Sequence, residues 1–475
     1  MAIGVVAMMR LSQAAQATGG LPSGCDVEFA SVSTDSRAIK SGDLFVALKG
    51  ENFDGHGFVA HAAAAGAVAA VVEKAGSRIE DRGSSGHVPL LIVEDTLQAL
   101  GELARSWRRR FAIPVVALTG SNGKTTVKEM LAAILSEACR NAPSSIPDPR
   151  SYVLATRGNL NNHVGVPLTL LELRHGHRHA VIEMGMNHAG ELSGITRLAE
   201  PDVALINNAG SAHIEYFGTV EAIARAKGEI FEGLKDQGVA VINADDAHAA
   251  LWRSLAAGRK QLDFGLQPNA AVSATYTLRE LDSEIVVKTP LGEAQCVVPL
   301  PGLHNVRNAL AAAAAATALG VQPTVIAAGL ERCAGVGGRL QRRTTAQGAL
   351  LIDDTYNANP DSMRAAIDVL ATLPAPRIFV MGDMGELGAA SPRLHGEVGA
   401  YAAGRIDRLF AIGDAAGHAV AAFGPAAVHV GSFDELVEAV SKYAVPGATV
   451  LVKGSRFMCM ERVVAALTGE PQGGR

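Results

Sequence analysis

The stretch "PVVALTGSNGKTTVKEML" joins an apolar run to a helical pattern through two glycines, a lysine and two threonines. A phosphate needs several donors at short range, so the chain around it must come close without side chains in the way. Glycine permits that approach, and the start of the next helix presents free N–H groups and the positive end of its dipole. Gly120, Ser121, Asn122 and Gly123 are expected to form such a cradle. Lys124 would place a mobile charge on the outer phosphates, and the Thr125 hydroxyl, with Thr126 beside it, would reach a bound Mg²⁺ ion. The broad phosphate-loop pattern has an earlier glycine where this chain has Leu118, so the match is partial. The alternative is a plain strand-to-helix turn. An apolar strand pattern before the turn and a helical one after it favour the cradle.

Two further segments end in residues suited to the same chemistry. "HAVIEMG" ends on Glu183, and "DVALINNAGSAHIEYFG" offers Asn207, Asn208 and His213. In an open parallel sheet, ligands gather beyond the carboxyl ends of the strands. A carboxylate placed there can take a divalent cation that bridges to phosphate oxygens. Taken singly, Glu183 is as readily a loop acid and His213 a surface histidine; sharing a sheet edge with the cradle favours a functional reading of both. Lys227 lies in the helical pattern "TVEAIARAKGEIFEGL". Spacing alone reads it as a solvated helix lysine, although its helix directly follows the His213 loop. Asn161 and Asn162 of "NLNNHVGVPL" carry amides that suit a substrate or nucleotide edge, and equally suit a turn. "RHGHRH" (174–179) has the look of a metal tract but reads as a solvated loop between a helix and a strand.

These residues require an element order that brings them together. Strand patterns alternate with helical ones from "TLQALGELARSWRRRF" to "GVAVINAD", the rhythm of a mostly parallel, doubly wound sheet. Beyond residue 270 the pattern turns to period-two alternation in "EIVVKT" and "AQCVVPL", with a turn between them, which reads as an appended hairpin. "LHNVRNALAAAAAATALG" is a helix ending at Gly320. "ALLIDDTYN", "RIFVMGDMG", "RLFAIGDAAG" and "TVLVKGSRF" then repeat the strand–helix rhythm as a second, Rossmann-like unit. Ahead of both, "LFVAL", "AVAAVVE" and "PLLIVED" suggest a small α/β unit. The expectation is an α/β chain of three domains, 1–95, 96–327 and 328–475, with the proline-rich segment 141–151 as an exposed insertion.

Composition excludes several classes. The net charge is −5 with no basic block, so nucleic acid is not an expected partner. The five cysteines, Cys25, Cys139, Cys296, Cys333 and Cys459, are scattered without a CxxC pair, which suits a reducing compartment and argues against a disulfide frame or a zinc site. The start lacks a basic leader before its apolar stretch, and no apolar run reaches the length of a membrane span. A soluble cytoplasmic monomer is expected.

The ordered set "TGSNGKTT", "GNLNNHVGVPLTLL", "IEMGMNHAGEL", "AHIEYFGTVEAIARAKGEIF", "GLHNVRNALAA" and "DDTYNANPDSM" resembles the Mur ligases of peptidoglycan synthesis across nearly the whole chain. "STDSR", "GDLFVALKGENFDGH", "GDMGELG" and "VKGSRFMCMERVV" narrow the resemblance to the members that add D-alanyl-D-alanine to UDP-N-acetylmuramoyl-tripeptide. The resemblance implies an ATP-dependent amide ligase whose first domain holds the UDP-linked peptide, with Ser36 and Arg37 as contacts. It implies ATP on Gly120–Thr126, with Asn305 and Asn308 at the adenine and Arg339 and Asp354 reaching ribose and phosphates from the third domain. It implies two Mg²⁺ sites, one on Thr125 and Glu183, the other on His213 and Lys227, the lysine carbamylated by CO₂ into an anionic ligand. Lys124, His213 and Lys227 would then be the catalytic set, and Asn161, Asn162, Tyr356 and Asn357 would meet substrate. "TYNANP" stands where the diaminopimelate- and lysine-adding relatives have a Tyr-Ala-His-Thr-Pro-like motif, and their Asp-Asn-Pro-Arg signature is absent. A folylpolyglutamate synthase-like ligase, an ATP-binding scaffold and an inactive paralogue are the rivals; the presence of Lys124, Glu183, His213 and Lys227 together argues against the last.

Overall fold

The computed structural model describes residues 7–50, 53–74, 88–140 and 152–470. The proline-rich insertion expected at 141–151 lies outside them, apart from its flanks.

Three larger sheets follow one another along the chain. The first has five strands in the order Leu21–Ser23, Leu90–Val93, Ala69–Glu73, Asp43–Val46 and Ser31–Ser33. Only the Leu21–Ser23 edge is antiparallel. Its three inner strands are the apolar runs read from sequence. The two edge strands are short and polar, which hid them.

The central sheet has six parallel strands in the order Lys260–Phe264, Val239–Asn243, Val203–Ile206, Val115–Thr119, His179–Glu183 and Val153–Ala155. Val115–Thr119 is wholly buried, as a strand covered by helices on both faces must be. The connections leave this strand in opposite directions, so the sheet has its topological switch point there, where a crevice opens beyond the strand ends. Register puts Glu183 beside Leu118 on one side and Ile206 beside Thr119 on the other.

The helix Lys124–Ala138 leaves the cradle and is covered by Leu303–Ala318. Residues 309–316 of the covering helix are seven alanines and one leucine, all fully buried. With side chains that small the two helices approach closely, and a larger residue there would overpack the contact by roughly 1–3 kcal/mol. The helix ends at Ala318 and Gly320 follows at φ +80°, as expected from sequence. The expected hairpin is present but is two strands of three: Ser273–Leu278 pairs antiparallel with Ser283–Thr289, which pairs with Gly292–Val298. Four of the six residues of "SATYTL" are exposed, so that strand lacked the apolar alternation that marks a half-buried one.

The third sheet is ordered Gln341–Thr344, Leu350–Asp354, Thr449–Lys453, Arg377–Gly382, Arg408–Ile412 and Ala427–Val430, parallel except at the Gln341–Thr344 edge. Among the described residues no helix is long and apolar enough to cross a membrane.

Candidate active site

A cleft of about 1100 Å³ opens between the carboxyl edge of the central sheet and the third sheet. The glycine turn forms its floor. Gly123 sits at φ +80°, and a Cβ added there would lie 2.2 Å from Asn308 Oδ1 and 2.7 Å from Asn207 Nδ2. Position 123 therefore excludes every side chain, both by backbone conformation and by contact. Asn207 Nδ2 donates to Asn122 O (2.9 Å) and Asn308 Oδ1 (3.0 Å), and Asn308 Nδ2 donates to Asn305 Oδ1 (3.1 Å). Asn305 in turn donates to Pro301 O at 2.8 Å. This buried amide chain ties the turn to the helix that covers it. The resemblance implies Asn305 and Asn308 at the adenine; the structure makes them struts of the cradle. Ser121 closes the turn on the other side, where Gly210 N donates to its Oγ at 2.9 Å.

Lys124 opens the helix and lines the cleft, with protein packed around its remaining sides. Its Nζ donates to Gly120 O at 2.7 Å, and burial lowers its affinity for a proton while Glu183 opposes that effect. Glu183 is buried. Its Oε1 accepts from Asn161 Nδ2 at 2.8 Å, and its Oε2 has no partner among the described residues. A buried carboxylate oxygen left bare costs about 1–3 kcal/mol or more, so the site is built to receive something there. Asn162, one residue on, spends its oxygen on Val164 N and Gly165 N. It caps a turn while still lining the cleft, so both readings of the amide cluster apply, one to each residue.

Lys227 corrects the reading drawn from spacing alone. It is 2 % exposed, with Ile223, Ala224 and Ala226 buried on the same helix. Among the described residues its amine has no hydrogen bond or ion pair, and its neighbour is a second cation. Burial, reinforced by Lys124, holds its pKa well below the ordinary lysine range. His213 is placed at φ +64°, a left-handed conformation uncommon for histidine, just before the short helix Ile214–Phe217. Its Nδ1 lies 2.6 Å from Glu386 Oε2 of the third domain, close enough for an ion pair but out of line for a hydrogen bond. The His213 ring holds the Glu386 carboxyl below the usual carboxylate range. Glu386 lies within "GDMGELG", a motif that the resemblance marks as a whole without singling out its acid.

The third domain supplies the other wall. Arg339 Nη2 donates to Thr125 Oγ1 at 3.0 Å, and its guanidinium lies 4.3 Å from the Tyr356 ring centroid. Asp354 lines the cleft but is engaged by Lys453 Nζ at 2.6 Å. Asn357 lines it too, and its carbonyl accepts from the same Nζ at 2.9 Å. Asn359 Nδ2 donates to Asn122 Oδ1 (2.8 Å), and Ser211 donates through N and Oγ to Asp361 Oδ2 (3.0 Å each), two inter-domain contacts not anticipated. Thr126 lines the floor beside Lys124. Ser36 and Arg37 are not in this cleft. They follow the edge strand Ser31–Ser33 in the first domain, where Arg37 is paired with Asp35 at 2.8 Å.

The donor set fits magnesium held jointly with phosphates. Among the described residues no three His, Cys, Asp or Glu side chains form a metal cluster of their own. The bare Glu183 oxygen and the Thr125 hydroxyl supply the few hard oxygens that Mg²⁺ takes from a protein when phosphates and water complete its shell.

Three family models match along the chain: the Mur ligase family catalytic domain over residues 28–108, the Mur ligase middle domain over 118–316, and the Mur ligase glutamate ligase domain over 338–456. The UDP-N-acetylmuramoyl-tripeptide–D-alanyl-D-alanine ligase of Escherichia coli strain K12 is 43 % identical over 466 residues, covering 96 % of this chain and 98 % of that protein. A crystal structure of MurF from Acinetobacter baumannii superposes with a TM-score of 0.88 at 39 % identity, covering 98 % of this chain and all of that one. MurF from Thermotoga maritima, solved in complex with ADP, gives 0.78 at 28 % identity, over 93 % of this chain and 97 % of that one. The chain belongs to the Mur ligase family, in the branch of the UDP-N-acetylmuramoyl-tripeptide–D-alanyl-D-alanine ligases.

Proposed function

We infer that this chain joins D-alanyl-D-alanine to UDP-N-acetylmuramoyl-tripeptide at the expense of ATP, in cytoplasmic peptidoglycan precursor synthesis. The observation that carries the reading is what surrounds the glycine turn: Lys124 in the cleft, the buried Lys227 whose amine has no hydrogen bond or ion pair among the described residues, and the bare oxygen of buried Glu183. Such a set is unfavourable in an empty fold and becomes favourable when a polyanion and its cations enter.

An amide forms from a carboxylate only after the carboxylate has been activated. The γ-phosphoryl group of ATP passes to the terminal carboxylate of the tripeptide, ADP departs, and the amine of D-alanyl-D-alanine attacks the acyl carbon as inorganic phosphate leaves. Lys124 places its charge against the phosphoryl oxygens in transit. The turn from Gly120 to Thr126 aims backbone N–H groups at the phosphates, and Asn305 and Asn308 hold that turn while facing the adenine. Thr125 and Glu183 would hold one magnesium ion and His213 and Lys227 a second, and bound there the metal would offset the charge of the two anions that must meet. Neutral Lys227 is the form that reacts with CO₂, giving a carbamate and a released proton; the product is an anionic oxygen donor where a protonated lysine would repel a cation. Arg339 and Asp354 bring the third domain onto the ribose and phosphates, and the closed wall keeps water from the acyl phosphate. Asn161, Asn162, Tyr356 and Asn357 line the substrate side, and Ser36 and Arg37 in the first domain take the UDP-linked moiety. The first domain ends at 95; the second boundary, expected at 327, moves to the end of the helix Pro323–Glu331, which packs on the central helix Lys124–Ala138, and the chain acts as a monomer.

The test is phosphate release with ATP, UDP-N-acetylmuramoyl-tripeptide and D-alanyl-D-alanine, omitting each in turn. Release that requires all three is expected. Release without the peptide, or with folate in its place, would replace this reading by one of its rivals.

A further inference from the structure

We propose that Arg456, roofed by Phe457, is the receptor for the free carboxylate of the incoming D-alanyl-D-alanine and so selects an acceptor with an ionised C-terminus. The proposal rests on the function inferred above and adds a specificity residue to it. The acceptor is a zwitterion. Its amine must reach the acyl phosphate over the glycine turn, and its carboxylate, up to about 7 Å away in an extended dipeptide, needs a cation of its own.

The cleft offers five lysine or arginine side chains among its described lining residues: Lys124, Arg307, Arg339, Lys453 and Arg456. Lys124 serves the turn, and Arg339 is bound to Thr125. Lys453 is buried and committed to Asp354 and the Asn357 carbonyl. Arg307 stands between Asn305 and Asn308, at the nucleotide end. Arg456 remains. It lies in the single turn Arg456–Met458 just past the carboxyl end of the strand Thr449–Lys453, on the third-domain wall. Its side chain is 43 % exposed, and its one acidic partner among the described residues, Glu461, accepts a long hydrogen bond from it at 3.4 Å. An exposed pair at that distance contributes little and yields readily to a better-placed carboxylate. A guanidinium can grip a carboxylate with two parallel hydrogen bonds, which a lysine cannot reproduce.

The surroundings shape the grip. Tyr356 is shared by two guanidiniums, with Arg339 4.3 Å and Arg456 5.8 Å from its ring centroid. Phe457, next in the chain, is 65 % exposed and lines the same cleft. An exposed phenyl on the rim of a polar cleft gains by covering something apolar, and the methyl groups of the dipeptide are of that kind. Gly385 keeps this rim open, because a Cβ there would come within 3.0 Å of the Phe457 ring.

The experiment compares D-alanyl-D-alanine with its C-terminal amide, in wild type and in Arg456→Ala, with Arg307→Ala as control. Wild type should prefer the free acid. Arg456→Ala should raise KM for the dipeptide by roughly 10- to 100-fold, the scale of a lost hydrogen-bonded charge contact. It should leave KM for ATP and for the UDP-linked peptide unchanged and use acid and amide equally. Arg456→Lys should recover part of the preference, and Glu461→Gln should keep or strengthen it. An Arg456→Ala enzyme that still favours the acid, or a loss of preference in Arg307→Ala instead, overturns the proposal. A wild type that ligates neither acceptor would instead overturn the proposed function.

Discussion

The central and third domains both end parallel strands on a shared cleft, and both place lysines there, but they treat the charge in opposite ways. In the third domain Lys453 is enclosed and paired with Asp354 and the Asn357 carbonyl. In the central domain Lys227 is enclosed and has no counter-charge among the described residues, while Glu183 keeps an oxygen that is bare among them. A satisfied buried ion pair holds a wall in shape. Unsatisfied buried charges lower the stability of the empty protein and raise its affinity for what completes them. The difference separates scaffold from machinery more clearly than position on the sheet does.

Four measurements can break or sharpen this contrast. The largest effect belongs to Lys124→Ala, expected to lower kcat for ligation by at least about 100- to 1000-fold with an unchanged circular dichroism spectrum. Near-normal turnover would remove the glycine turn from the phosphoryl step. Lys227→Ala should fall by about 100-fold or more, and short carboxylic acids in the buffer should restore part of the rate by standing in for the carbamate. A fully active variant would dispose of the carbamate.

Lys453→Met should act on stability, costing about 3–5 kcal/mol because it leaves Asp354 uncompensated. Thermal unfolding of Lys453→Met with Asp354→Asn should recover much of that loss; if it does not, the pair is not what holds the wall. The smallest effect is the opposite one. Lys227→Met should raise the melting temperature by a few degrees in CO₂-free buffer at neutral pH. The folded pKa of Lys227 lies below its unfolded value of about 10.4, so unfolding takes up a proton, and wild-type stability rises with pH across that interval. The advantage of the methionine variant should therefore shrink as pH approaches 10.4, and an advantage independent of pH would assign it to packing alone.

Much of the site was legible because its residues are contiguous. The cradle from Gly120 to Thr126 lies in one strand–turn–helix unit, so local pattern was sufficient. Glu183 and Asn207 were found because alternating strands and helices leave strand ends on one edge. Lys227 reads as solvated from its charge, but the structure buries it. Its helix buries Ile223, Ala226 and Lys227, an i, i+3, i+4 stripe that already pointed inward. Glu386, Asn359 and Asp361 were out of reach, since each meets its partner only after the third domain folds back over a central-domain loop distant in sequence. The polar edge strands escaped for a related reason: exposed pairing leaves no hydrophobic period to read.

By itself the sequence determined the elements, their order, the phosphate turn and the family, because those follow from local periodicity, from glycines where the backbone must come close, and from motifs in a set order. Only the tertiary structure decided which charges would go unpaired. Whether Lys227 is buried beside Lys124 and Glu183 left half bare, while Lys453 is matched, depends on groups far apart in the chain and on how completely each is shut away from water.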